Sequence, residues 1–446
     1  MKDYSFALGH SEDPTLPLTE RLALLLVVVG LLVGLLPLAM PTAGLSALGS
    51  GLALLTGGSL WYYYLRFGQR PHLVNTGVWL QKQTSRGWTA WLVALLLTGF
   101  YVLLYWFPWV LEGLIRPFDG LSHLMRNRPA DHWFLYGAFY TFAVLLMGVR
   151  ALLKYRHSRY QVLRTLSVMF FQLVFAFILP HLMVLFQGPE FYFSYFWPLK
   201  YEYLFPGTLA DLLKQPLGIG VFLVFWSVTF SLIATPILTY FYGKRWYCSW
   251  VCGCGGLAET AGDPYRHLAD RSRKAWRLEV NLIYPIFGAI ILLTLLLWIN
   301  SYLKGDLLGQ FSGVYAQWYG FLIGSIFAGV IGVGFYPLLG SRVWCRFGCP
   351  MAAYLGLLQK HFSRFRITTN GGQCISCGNC STYCEMGIDV RHYAQQGQPI
   401  IRAACVGCGM CATVCPRGVL KLENGPREGR YEASQLIHPD NLRLLS

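Results

Sequence analysis

The sequence predicts an α-helical polytopic membrane protein of about eight spans that ends in a small, cysteine-rich α+β unit. Three observations predict it. Of 446 residues, 55% are hydrophobic and only 13% charged, against about 25% charged in an ordinary soluble chain. Nearly all the long apolar runs lie before Leu339. All 13 cysteines come after Tyr247, in tight groups that read as metal ligation in a reducing compartment rather than as dispersed disulfides. The chain accordingly divides into N-terminal spans over 1–216, further spans with cysteine motifs over 217–362, a cysteine-rich unit over 363–420 and a tail over 421–446.

A span needs about 20 apolar residues, and eight segments qualify: 20–40, 43–65, 87–112, 132–153, 162–187, 217–242, 279–300 and 317–339. The acidic leader Ser11-Glu12-Asp13-Pro14 lacks the basic region and small-residue cleavage site of a signal peptide, so the first span is expected to be retained. Pro37 and Pro41 flank the first joint, where a re-entrant hairpin is the alternative to two spans. Loops after the even spans carry Arg66, Arg70, Lys82 and Arg86; then Arg150, Lys154, Arg156, Arg159 and Arg164; then Lys244, Arg245, Arg266, Arg271, Arg273, Lys274 and Arg277. Loops after the odd spans carry only Arg116, Arg126, Arg128, Lys200, Lys214 and Lys304. The asymmetry places the even loops, both termini and the cysteine-rich unit on the cytoplasmic side of a cell inner membrane. The net charge of +15 is thereby assigned to topology, and no basic stripe interleaved with stacking aromatics speaks for nucleic acid.

The strongest motif is a repeated spacing. Cys374-x2-Cys377-x2-Cys380-x3-Cys384 is followed, twenty residues on, by Cys405-x2-Cys408-x2-Cys411-x3-Cys415-Pro416. Three cysteines at x2 spacing wrap one face of a cubane, and the fourth points away to complete the other. The expected ligand sets are Cys374, Cys377, Cys380 with Cys415, and Cys405, Cys408, Cys411 with Cys384. Zinc sites pair two CxxC units across a longer loop rather than using runs of four. The spacing therefore predicts two [4Fe–4S] clusters on a bacterial-type ferredoxin unit. Gly378, Gly407 and Gly409 would let backbone amides approach the cluster sulfides. One departure is Glu385, which follows Cys384 where proline is usual.

A second repeat lies at the membrane edge. Gly243-Lys244-Arg245-Trp246-Tyr247-Cys248-Ser249-Trp250-Val251-Cys252-Gly253 follows the sixth span. Gly340-Ser341-Arg342-Val343-Trp344-Cys345-Arg346-Phe347-Gly348-Cys349-Pro350 follows the eighth. Both read G-x-R-x-aromatic-C-x3-C, and in a helix cysteines at i and i+4 share a face. Cys248, Cys252, Cys345 and Cys349 are thus candidates for a third metal site or a redox dithiol, with buried structural packing as the alternative. Cys254 stands beside them without an assigned role.

This order of motifs resembles the membrane-bound polyferredoxins of the NapH/NosR type, related to CcoG, over roughly residues 217–420. The resemblance implies electron transfer between the quinone pool and partner redox subunits, as part of a quinol dehydrogenase or oxidoreductase complex. Two alternatives remain at this level: an assembly factor handling copper or thiols through the CxxxC motifs, and a membrane redox sensor. Gly253 replaces the proline of the family motif, and four or more spans precede the shared region.

Other signals are quieter. His132 and His181 fall near one side of the fourth and fifth spans, yet haem is the less favoured reading. Arg150, Gln172 and His181 are polar groups in apolar surroundings, where such residues are often functional, and are noted for a quinone site that the sequence does not locate. Met351–Phe362 reads as an amphipathic linker helix. The sequence predicts no nucleotide or flavin site.

Overall fold

The computed structural model describes residues 16–40, 44–68, 86–304, 311–370 and 373–425. The acidic leader, Pro41, Arg70, Lys82 and the tail from residue 426 lie outside the described residues. Eight long helices precede the cysteine-rich unit among the described residues: α1 (Leu18–Leu38), α2 (Gly44–Tyr63), α3 (Trp88–Trp106), α4 (His132–Lys154), α5 (Arg159–Leu185), α6 (Ile219–Tyr242), α7 (Arg273–Tyr302) and α8 (Gly313–Ile331). Seven of them are long and apolar enough to cross a membrane. The exception is α2, the predicted second span, where five glycines and three serines dilute the leucines.

Those small residues have a packing reason. A Cβ on Gly51 would lie 2.4 Å from the backbone N of Gly34, and one on Gly30 would lie 2.5 Å from that of Leu55. The backbones of α1 and α2 therefore touch along a small-residue seam, the way helices associate where burying apolar surface gains little. Elsewhere the spans widen ahead of proline. Phe171–Ile178 precedes Pro180 and Phe230–Ala234 precedes Pro236, each as π-helical turns. Proline lacks an N–H and its ring presses on the carbonyl one turn back, so the helix opens there.

Helix α9 (Pro350–His361) follows α8 and the second cysteine motif. Here the structure differs from the expected amphipathic linker. Met351, Ala352, Ala353, Leu355, Gly356 and Gln359 are all buried, because α9 is wedged among α6, α7 and the cysteine-rich unit. That unit holds strands β1 (Phe365–Thr369) and β2 (Leu420–Asn424), paired antiparallel with Ile367 opposite Leu422. Between them lie two one-turn helices, α10 (Asn379–Thr382) and α11 (Met410–Thr413). β2 crosses the expected boundary at 420, so the sheet ends four residues later.

The unit is not a separate lobe on a stalk. One buried cluster runs from Tyr247, Cys248, Trp344 and Cys345 through Met351 and Leu355 to Phe365, Cys380, Cys405 and Cys411. The membrane-edge motifs and the ferredoxin-type residues share a single core.

Candidate iron–sulfur site

Each cysteine run is shaped by positive backbone angles at matching places. Ser376 and Gly407, two residues after the first cysteine of each run, have φ of 58° and 63°; Gly378 and Gly409, two further on, have 80° and 74°. These angles turn the chain back on itself, and α10 and α11 start directly after the second of them. Ser376 alone meets this demand without being glycine, at a cost of about 1 kcal/mol.

The runs fold into two unlike sites. In the outer one, Cys374, Cys377, Cys380 and Cys415 line a small pocket together with Arg391 and Arg417. Cys374, Cys377 and Cys415 are half-buried there, and the adjoining Ile375, Pro416 and Arg417 are exposed. In the inner one, Cys405, Cys408, Cys411 and Cys384 lie within electrostatic reach of one another. Its backbone is clamped by the membrane block. Gln161 donates to the carbonyl of Cys408 (3.0 Å), Tyr160 to that of Gly407 (2.9 Å), Ser249 to that of Val406 (2.9 Å) and Gln359 to that of Cys405 (2.8 Å). Three cysteines of one run and the last of the other thus surround each site.

The CxxxC motifs do not form continuous helices. Arg245–Cys248 makes one helical turn, after which Cys252 is extended (φ −66°, ψ 126°) and begins the short helix Gly253–Glu259. The second motif repeats this: one wide turn over Trp344–Gly348, then extended Cys349 (φ −77°, ψ 113°) opening α9. Gly243 and Gly340, which start the two motifs, share positive φ with ψ near 180°. The repeat in sequence is therefore a repeat in backbone. It also places the four cysteines, Cys248, Cys252, Cys345 and Cys349, in one buried core. Arg342 ties the motifs directly: its Nη1 donates to the carbonyl of Cys248 (3.1 Å) and lies 3.6 Å from the Sγ of Cys345. Gly253, the departure from proline, packs closely: a Cβ would sit 2.6 Å from the Tyr195 hydroxyl and 2.7 Å from Gln172 Oε1, so those side-chain ends would have to shift.

Burial disfavours free thiolate at most of these cysteines. Burial pushes the thiols of Cys248 and Cys380 up to about 12 and that of Cys405 to about 11. Such thiols are ligands only when metal binding drives the proton off. Cys252 is the exception, lowered to about 7 because the Cys254 thiol and the backbone N–H groups of Gly255 and Cys254 donate to it. This gives Cys254 a role as a hydrogen-bond donor.

Beneath the inner site lies a buried ionic group that the sequence did not reveal. Arg150 and Lys154 pair with Asp263 at 2.7 and 2.9 Å. Arg266 joins Asp263 (2.8 Å) to Glu385 (2.8 Å) and also contacts Glu259. Arg342 bonds Glu259 (2.7 Å) and Glu385 (3.0 Å), and Arg164 also pairs with Glu259. The arginines hold the carboxyls of Glu259 and Asp263 well below the usual range against the opposing effect of burial. Five cations thus converge on three carboxylates beside Cys345, Cys384 and Cys408, and anionic cluster cores would balance that surplus. Glu385, the departure from proline after Cys384, is one of those carboxylates. In the sequence its members stand apart: Arg150 as a polar group in a span, Glu385 as a departure after Cys384, and Glu259 and Asp263 as acids in a largely basic loop.

The remaining candidates fall elsewhere. Arg150 belongs to this ionic group. Gln172 donates to Thr141 (3.1 Å), His181 packs against the rings of Phe134 and Phe177, and His132 rests against Trp133.

Fold and site together define a membrane-type helical protein with a C-terminal 4Fe–4S ferredoxin-type region. The comparisons with known proteins agree. The model of the 4Fe-4S dicluster domain matches residues 373–420, and that of a 4Fe-4S binding domain matches twice, over 223–276 and 320–368, once on each CxxxC motif. YccM of Escherichia coli (strain K12), whose provisional name is that of an electron transport protein, is 28% identical over 155 residues, 33% of this chain and 43% of that protein. MauN, a methylamine utilization ferredoxin-type protein of Methylobacillus flagellatus, is 26% identical over 162 residues, 34% of this chain and 54% of its own. The chain spans about half the length of these curated relatives. No solved structure matches it.

Proposed function

We propose that this chain is a membrane-bound electron-transfer protein that relays electrons between the quinone pool and a partner redox protein. The observation that carries the reading is the shared core, in which membrane-edge thiols, inner cysteines and outer cysteines follow one another without a break. Cys405, Cys408, Cys411 and Cys384 would hold an inner [4Fe–4S] cluster, and Cys374, Cys377, Cys380 and Cys415 an outer one. Cys248, Cys252, Cys345 and Cys349 would hold a third iron–sulfur centre. Their place in one buried core favours this, as does the twofold match of a 4Fe-4S binding domain on the segments that carry them. Bound clusters would supply one-electron storage, while the chain supplies position, hydrogen bonds and charge.

In this reading the role is that of a NapH-like subunit in an inner membrane, with the ferredoxin-type unit on the cytoplasmic side. Electrons would enter where the spans meet the CxxxC motifs and leave at the exposed outer site, where Arg391 and Arg417 face an approaching partner. The test is redox-titrated EPR with iron quantification on the wild type and on a Cys345→Ser/Cys349→Ser variant. The variant is expected to lose one centre's iron and signal and keep the other two. A wild type without any reducible cluster signal would overturn the reading.

A further inference from the structure

Lys244 occupies an unusual place. Its side chain is only 1% exposed, and among the described residues its ammonium forms no ion pair; its side-chain hydrogen bond goes to the carbonyl of Ala403 at 3.2 Å. An isolated buried charge is costly unless an opposite charge accompanies it. Lys244 lines a small cavity with Cys345, Met386 and Ala404. Glu279 also lines that cavity, but its carboxylate is bonded to Arg346 at 2.8 Å.

Lys244 stands between two cysteine sets. Its backbone carbonyl accepts from the N–H of Cys248 at 3.0 Å, its side chain shares a cavity with Cys345, and its hydrogen-bond partner Ala403 lies two residues before Cys405 of the inner site. The backbone holds it there. The N–H of Lys244 donates to Gln359 Oε1 at 2.7 Å, and the amide of Gln359 donates onward to the carbonyls of Cys405 (2.8 Å) and Arg402 (2.9 Å). A Cβ on the preceding Gly243 would come within 2.7 Å of Gln359 and Phe365, so the chain at this point has no room to withdraw. At the matching position of the second motif stands Ser341. The charge is therefore confined to the copy that faces the inner site.

We propose that Lys244 is a positioning charge, fixed between the membrane-edge and inner cysteine sets, that raises the reduction potentials of both. This rests on the proposed assignment of iron–sulfur centres to those sets. A one-electron reduction adds one negative charge to a centre, and a nearby buried cation favours that state. Because Lys244 touches the surroundings of both sets, it lifts them together and keeps electron passage between them near balance. The outer set, beyond the inner one, lacks this contact and serves as an internal control.

The experiment is redox-titrated EPR with iron quantification on purified full-length protein, comparing wild type, Lys244→Met, Lys244→Gln and Lys244→Arg. The neutral variants are expected to shift the midpoints of the two flanking centres to more negative values. A tenfold change in the oxidised-to-reduced ratio at fixed ambient potential corresponds to about 59 mV for one electron. The outer midpoint should stay put, and Lys244→Arg should retain the wild-type values. Unchanged midpoints in both neutral variants at full iron content would overturn the proposal, as would equal shifts at all three centres. Failure of the underlying assignment would look different, since the wild type itself would then lack the membrane-edge or inner signal.

Discussion

The inner and outer cysteine sets come from the same repeated spacing, yet they are built for different neighbours. The inner set has its backbone held by Gln161, Tyr160, Ser249 and Gln359, and rests on the ionic group of Arg164, Arg266, Arg342, Glu259 and Glu385. The outer set is wrapped by its own run and β2, opens toward solvent at Ile375 and Pro416, and has Arg391 and Arg417 beside it. One motif has thus been placed once inside the protein and once at its surface. Ligand spacing gives the chemistry, and the surroundings decide whether a site looks inward or outward.

The comparison can be broken most severely at the ligands. Cys411→Ser is expected to remove the inner centre and loosen the core that joins the unit to the spans, whereas Cys374→Ser should remove only the outer centre. Iron per chain and thermal unfolding of the two variants measure this, and equal destabilisation would erase the distinction. Next in size is Glu385→Pro, which restores the residue usual after a fourth ligand. It should nevertheless destabilise by about 1–3 kcal/mol, because buried Arg266 and Arg342 each lose one of their carboxylate partners; denaturant unfolding reports it. Gly253→Ala is expected to cost about 1–3 kcal/mol by forcing a methyl group onto Tyr195 and Gln172, and to disturb the membrane-edge centre while sparing the outer one, as EPR would show. The smallest effect is Ser376→Gly in the outer run. It should stabilise by about 1 kcal/mol by relieving positive φ in a non-glycine residue, less whatever the hydroxyl gains from the Gln395 amide at 2.8 Å. A shift in the denaturant midpoint checks it.

How much of this was legible follows from the range of the interactions. The ferredoxin-type cysteines lie within eleven residues of one another in each run, so spacing alone marks them as candidate ligands. Seven of the eight expected spans likewise appear as helices apolar enough for a membrane, since hydropathy is a local sum; α2 falls short because its glycines serve packing against α1. The ionic group was hidden because its members come from α4, α5, the loop after the first motif, the second motif and the ferredoxin-type run. Arg150, Lys154, Arg164 and Arg266, which add to the basic count of the even loops, are engaged in that group, and Lys244 is buried on the carbonyl of Ala403. Glu385 and Gly253 looked like departures from a pattern for the same reason: what they satisfy is more than 40 residues away in sequence.

The most direct test of the relay uses the inner site as a gate. In Cys408→Ala, with the outer set intact, dithionite should still generate the outer cluster's EPR signal. A quinol presented in lipid nanodiscs should reduce the outer cluster in the wild type and no longer do so in the variant. If quinol reduces the outer cluster of the variant as fast as that of the wild type, electrons do not pass through the inner site.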